Sequence, residues 1–165
     1  MVVQSINPRN GQVIKEFVSD LPDDVLAALA KGREAQRKWM VDWNREERVE
    51  AVLELRSALQ AMKDDIIATE MLEGGFPQKD VIGTYNGVIK GFEHYAAEAR
   101  AIGDYDFPLD PTGWPDTKAT INLVPHGVIA HIGIWNYPLW QTMITLIPAL
   151  MAGNAVVFKP SELTT

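Results

Sequence analysis

The sequence predicts an α/β protein: helices through its first two-thirds, then a strand–helix–strand unit of a parallel sheet. Three observations carry that expectation. Apolar residues recur at three- and four-residue spacings from Val25 to Ala99, the period of a helix with one buried face. Gly103, Pro108, Pro111, Gly113 and Pro115 then interrupt any regular pattern. From Ala119 to Phe158 there is no Asp, Glu, Lys or Arg, as expected of strands and a helix buried on all sides. A length of 165 residues suits one domain.

The elements follow in chain order. Asn7-Pro8-Arg9-Asn10-Gly11 is a turn cluster, and Gln12 to Val18 reads as a half-buried strand. Ser19 to Asp24 opens a helix, with Pro22 in its first turn and early acids that suit the dipole. Its stripe is Val25, Ala28, Gly32, Ala35 and Trp39, expected in the core. Asn44 and Glu47 form a capping box for a second helix, whose stripe is Val52, Leu55, Leu59 and Met62. A third helix runs from about Asp64 to Glu73 and is stopped by Gly74-Gly75, with Pro77 beyond. The fourth carries Val81, Tyr85, Val88, Phe92, Tyr95 and Ala99 over five turns. Residues 103–116 read as a loop or arm. Thr120 to Val124 is a strand, Pro125-His126-Gly127 a turn, and Val128 to Ile134 a second strand. Leu139 to Met151 suits a buried helix in which Pro148 forces a kink or loosens the last turn. Ala152-Gly153-Asn154 ends it, Ala155 to Lys159 is a third strand, and Pro160-Ser161-Glu162 can start another helix. Strand, helix, strand makes one βαβ crossover and hence a parallel pair.

Composition narrows the function. Fifteen Lys and Arg against 22 Asp and Glu give −7, against a general binder of nucleic acid or anionic membrane. The absence of cysteine excludes disulfides, thiolate metal sites and a cysteine nucleophile from these residues. Three histidines without a ligand-like spacing suggest no metal site. The start has no basic segment followed by an apolar run, so no secretory signal is read and the cytoplasm is expected. A membrane span is not expected, because Pro125, Gly127, Asn136, Pro138, Gln141, Pro148 and Asn154 interrupt the uncharged stretch.

In an open α/β sheet, ligands sit beyond the carboxyl ends of the strands. Trp135-Asn136-Tyr137-Pro138 and Lys159-Pro160-Ser161-Glu162 occupy those places and should lie side by side. The Gly-x-Gly-x-x-Gly turn that holds a pyrophosphate is absent. The residues alone therefore allow a nucleotide site without its pyrophosphate loop. They equally allow a buried Asn satisfying a turn beside a solvated Lys and an ordinary first-turn Glu.

Three blocks, in matching order and spacing, resemble the aldehyde dehydrogenase superfamily. They are Pro125-His126-Gly127-Val128, then Ile132-Gly133-Ile134-Trp135-Asn136-Tyr137-Pro138, then Pro148 through Glu162. Asn7-Pro8-x-x-Gly11, the helix ending in Trp39, and Glu73-Gly74-Gly75 match the family's amino-terminal region more weakly. The resemblance covers nearly the whole chain but only the family's first part. It implies the amino-terminal part of an NAD-binding domain over 1–165, with a Rossmann-like parallel sheet and a protruding β arm at about 107–125 that serves oligomerisation. It implies that Asn136 lends its amide to an oxyanion hole. Lys159 and Glu162 match the ribose-binding pair, with Ser161 between them, and Ile132, Gly133 and Trp135 match positions lining the cofactor cleft. A carboxylate at Glu162 would repel a 2′-phosphate, so NAD is expected ahead of NADP. The implied whole enzyme is a homo-oligomer that oxidises a small-molecule aldehyde to its acid with NAD, without nucleic-acid or membrane partners. Many members have Pro where Ile134 stands, and the family's cysteine and general-base glutamate find no match here. This chain is accordingly expected to be inactive alone. The rival expectation is a free-standing, non-catalytic truncated homologue that binds a nucleotide or a partner.

Overall fold

The computed structural model describes residues 2–103, 105–107, 117 and 119–165. An antiparallel hairpin opens the chain, β1 (Val2–Ile6) against β2 (Val13–Val18). Only its second strand is legible in the sequence. Ser5 is fully buried, and its hydroxyl donates to Glu73 Oε1 at 2.5 Å, tying the hairpin to the end of the third helix.

Four helices follow: α1 (Pro22–Val41), α2 (Arg45–Ala61), α3 (Lys63–Gly74) and α4 (Gln78–Ala101). The caps are those the side chains dictate. Leu21 N donates to Asp24 Oδ2 at 2.8 Å at the start of α1. In the capping box of α2, Glu47 N donates to Asn44 Oδ1 at 3.1 Å and Asn44 N to Glu47 Oε2 at 2.7 Å. Gly75, at φ +67°, ends α3 in the left-handed region that glycine enters without a Cβ clash.

Strands β3 (Tyr105–Phe107) and β4 (Ala119–Ile121) pair antiparallel. Tyr105–Phe107 fall inside the stretch expected to be a loop. Of that stretch and the expected arm, residues 104, 108–116 and 118 lie outside the described residues. Strand β4 is shorter than expected, with Leu123 and Val124 exposed beyond it.

The expected crossover is present. Strand β5 (Val128–Ile132), helix α5 (Pro138–Met151) and β6 (Ala155–Lys159) form a parallel pair in the register Val128↔Ala155 through Ile132↔Lys159. The fold is therefore α/β and Rossmann-like in this part. Two details differ from expectation. Gly133 and Ile134 lie beyond β5, and residues 160–165 form no helix, with bends at Glu162 and Leu163. Ser161 Oγ there accepts from Leu163 N at 3.2 Å, a local turn that uses the hydroxyl otherwise suited to capping.

Helix α5 runs through Pro148 and ends where the sequence marks it. Gly153, at φ +88°, donates to Leu150 O at 2.9 Å, and Asn154 N donates to Ala149 O at 3.0 Å. That pair of bonds is a Schellman motif. The buried Asn154 side chain accepts from Gly127 N at 3.0 Å and donates to Ala149 O at 3.0 Å. One amide thus fastens the start of β5 to the end of α5.

The core lies between α2, α4 and α5, with Val49, Val52, Leu59, Val88, Phe92, Ala96, Ile147 and Met151 buried together. Burial of each large apolar side chain contributes roughly 1.5–3 kcal/mol. Helices α4 and α5 approach closely because Gly87 leaves room for Trp140: a Cβ at Gly87 would sit 2.2 Å from the indole ring. Helix α1 covers one face of the β5–β6 pair, where Gly32 meets Val128 and Val157. The other face carries Phe158, which shares a cavity with Thr142 and Met143 of α5. The stripe expected to bury α1 is only partly realised. Gly32 and Trp39 are half-buried, but Val25, Ala28 and Ala35 are exposed. A two-stranded sheet is too narrow to cover a twenty-residue helix.

Candidate functional site at the strand tips

Parallel pairing of β5 and β6 carries their carboxyl ends to the same edge. Gly133 N donates to Lys159 O at 2.8 Å, continuing the ladder one step past the strands. A Cβ at Gly133 would meet the Phe158 ring at 2.8 Å, so any larger residue there displaces that ring. The two following loops also touch, with Thr164 Oγ1 donating to Trp135 O at 3.3 Å. The two motifs singled out in the sequence therefore share one edge.

Ile132 (73 % exposed) and Trp135 (55 %) present large apolar surfaces at this edge. Asn136 is half-buried, and its side chain makes no hydrogen bond among the described residues. Tyr137, next to it, is the one non-glycine residue among those described with positive φ (+54°). Its ring stacks on Phe76 at 5.2 Å. Such backbone strain persists only where surroundings hold it, and it gathers at functional sites.

Lys159 Nζ pairs with Glu162 Oε2 at 3.0 Å, both side chains open to solvent. Glu162's own backbone N–H, then the Lys159 ammonium, hold its carboxyl below the usual carboxylate range. Ser161 is buried, its carbonyl accepting from Thr165 Oγ1 at 3.1 Å. It shapes the turn between the paired residues rather than facing solvent.

A cavity of about 350 Å³ opens beside the tips, lined in part by Glu70, Leu139, Thr142, Phe158, Pro160 and Thr165. Glu70 escaped the sequence reading. It is buried, its Oε1 accepts from Leu139 N at 3.0 Å, and its Oε2 has no hydrogen-bond partner among the described residues. Burial pushes its carboxyl above the ordinary range, partly offset by the Leu139 bond. The available signal was a carboxylate in an apolar position, three residues after Ile67 and four before Gly74. His131 stacks on Phe158 across the strands, with a buried Nε2 lacking a partner among the described residues. Among the described residues, no helix is long and apolar enough to cross a membrane.

The parallel β5–β6 pair with its crossover helix and two loops at one edge defines a Rossmann-like α/β protein. The family model of the aldehyde dehydrogenase family matches residues 1–165, and the chain belongs to that family. Solved structures agree. A NAD-dependent benzaldehyde dehydrogenase from Corynebacterium glutamicum superposes with a TM-score of 0.91 at 25% identity, covering 99% of this chain and 35% of that one. Betaine aldehyde dehydrogenase from Staphylococcus aureus, in complex with NAD+, gives 0.90 at 27%, covering 99% and 33%. An NADP dependent enzyme of E. coli gives 0.91 at 25%, covering 99% and 33%. The chain spans about a third of the length of these relatives.

Proposed function

We propose that this chain is the amino-terminal portion of a cytoplasmic, homo-oligomeric, NAD-dependent aldehyde dehydrogenase that oxidises a small-molecule aldehyde to its carboxylic acid. In this reading residues 1–165 supply one wall of the cofactor cleft and one catalytic donor. The segment at about 107–125 serves as the oligomerisation arm. The observation that supports the proposal is the parallel register ending at Ile132↔Lys159, with the two loops that carry Asn136 and Glu162 leaving from that edge and touching through Thr164 and Trp135.

The residues present suit a dinucleotide. Lys159 and Glu162 expose a hydrogen-bond donor and an acceptor at a strand tip, a pairing that fits vicinal ribose hydroxyls. An exposed ion pair of this kind contributes little to stability, so exchanging it for contacts to a ligand costs the fold little. The Glu162 carboxylate disfavours a 2′-phosphate, hence NAD over NADP. Ile132, Gly133 and Trp135 would line the cleft, the glycine allowing close backbone approach and the exposed indole a flat apolar wall. Ser161 would hold the turn. The cofactor, when bound, accepts hydride from the substrate carbon.

Asn136 would donate its side-chain N–H to the carbonyl oxygen of the aldehyde as that oxygen becomes negative under nucleophilic attack. The side chain is available for this, since among the described residues no acceptor holds it. A preorganised donor of this kind lowers the barrier by about 3–4 kcal/mol. The nucleophile is expected from residues outside these 165, which include no cysteine, so the chain by itself is catalytically incomplete.

The test joins two measurements. Calorimetric titration of the 165-residue chain should show weak NAD binding, weaker NADP binding, and further loss in E162Q. The protein isolated from its source should exceed 165 residues by intact mass and reduce NAD with an aldehyde, with N136A lowering kcat about 10²–10³-fold. Absence of NAD binding by the chain, or NADP bound more tightly than NAD, overturns the cofactor assignment. A source protein of 165 residues that binds nucleotide without turnover favours the free-standing module instead.

A further inference from the structure

Helix α5 contains no charged residue, and Tyr137 at its start makes no side-chain cap. Its ends are instead served by two buried ionic side chains from other helices. At the amino end, Glu70 of α3 accepts from Leu139 N at 3.0 Å. At the carboxyl end, Arg48 of α2 donates through Nε to Met151 O at 3.4 Å and through Nη1 to Trp43 O at 2.6 Å. Glu70 is 6 % exposed and Arg48 8 %. The signs complement the helix dipole, negative at its amino end and positive at its carboxyl end.

A buried carboxylate is a costly way to satisfy one amide, because a serine at the cap would do so at the surface. The second oxygen of Glu70 is buried without any partner among the described residues, which adds to the cost. What a fixed carboxylate provides, and a surface cap does not, is an anchor to the body of the molecule. Leu139 lies three residues after Asn136. Between them Tyr137 is held left-handed and stacked on Phe76, which follows the end of α3. Both restraints on the Asn136 loop therefore come from the same region, α3 and its exit.

We propose that Glu70 is a positioning residue: its buried carboxylate pins the first turn of α5 and so fixes the Asn136-Tyr137-Pro138 backbone at the tip of β5. The functional meaning of this rests on the assignment of Asn136 above, whereas the pin itself does not.

The second amide of a helix has no intrahelical acceptor, so protection of Leu139 N–H from solvent exchange depends on Glu70. Amide exchange of the 165-residue chain, followed by NMR, tests this. In E70A and in E70D, which withdraws the carboxylate by one methylene, Leu139 should exchange about tenfold faster. That acceleration is measured relative to the amides of Val49 and Phe92, which report the core. The Asn136 side-chain amide resonances should shift in the same variants. E70Q keeps an acceptor and should restore both. If E70A fails to fold, E70D decides. Unchanged Leu139 exchange, acceleration only in step with Val49 and Phe92, or unmoved Asn136 resonances would each overturn the proposal. None of these readouts involves NAD or an aldehyde, so loss of the catalytic reading leaves them standing.

Discussion

Asn136, Lys159 and Glu162 were marked out by the sequence as candidates because each lies in a short motif at a strand end, the edge where open α/β sheets bind ligands. Glu70 was not, because its one local signal, a carboxylate at an apolar spacing, does not separate a buried group from a solvated one; its partner is 69 positions away. Nor was the left-handed Tyr137, a conformation imposed by tertiary contacts on a residue that rarely adopts it. The Lys159–Glu162 pair makes a pH prediction. Since the folded pKa of Glu162 is depressed, the ion pair is formed above the unfolded carboxylate range and lost as pH falls through the folded value. In an NMR titration, K159Q should raise the Glu162 midpoint without fully restoring it, because its own backbone N–H acts first. An unchanged midpoint would mean the pair does not form in solution. Glu70 has the opposite sign. Its folded pKa is raised, so its charge costs stability at neutral pH, and that cost is relieved as pH falls through the folded value. E70Q should therefore be at least as resistant to urea as the wild type at pH 7, and a clear loss would contradict this.

Among elements, helices with a capping or stop signature or a long apolar stripe were read closely: α2 by Asn44 and Glu47, although Met62 of its expected stripe lies beyond the helix and is exposed, α3 by its two glycines, α4 by Val81 through Ala99. Strand β1 was missed because Val2–Ile6 carries no alternation strong enough to separate it from a polar terminus, and its pairing with β2 is a long-range choice. The α1 stripe was over-read because periodicity reports which face is apolar, not whether anything covers it. Two packing claims are open to measurement by urea unfolding. G87A should destabilise by about 1–2 kcal/mol, the ring clash with Trp140 outweighing the better helix propensity of alanine. N154A should cost about 2–3 kcal/mol, since it removes two hydrogen bonds made by one buried amide and leaves Gly127 N unserved. Near-neutral results at both positions would refute the close packing at the two ends of the crossover.

For the molecule as a whole, the β5–β6 sheet has two strands, and much of its surroundings is apolar and open: Val25, Leu26, Val124, Ile132, Ile134 and Trp135 are all exposed. Unpaired strand edges and apolar patches promote association. Sedimentation of the chain should accordingly show concentration-dependent assembly, and a single monomeric species across the range would count against it. The charge-free run from Ala119 to Phe158 made the crossover legible, whereas what shields it could not be read from one chain. The doubly held α5 has a geometric consequence. Each residue of an α-helix advances it by about 1.5 Å and turns it by about 100°. Deleting one residue from its middle would swing one terminus a quarter-turn around the axis, out of reach of either the glutamate or the arginine. Its count of fourteen is thus locked, like a strut cut to measure between two bolts.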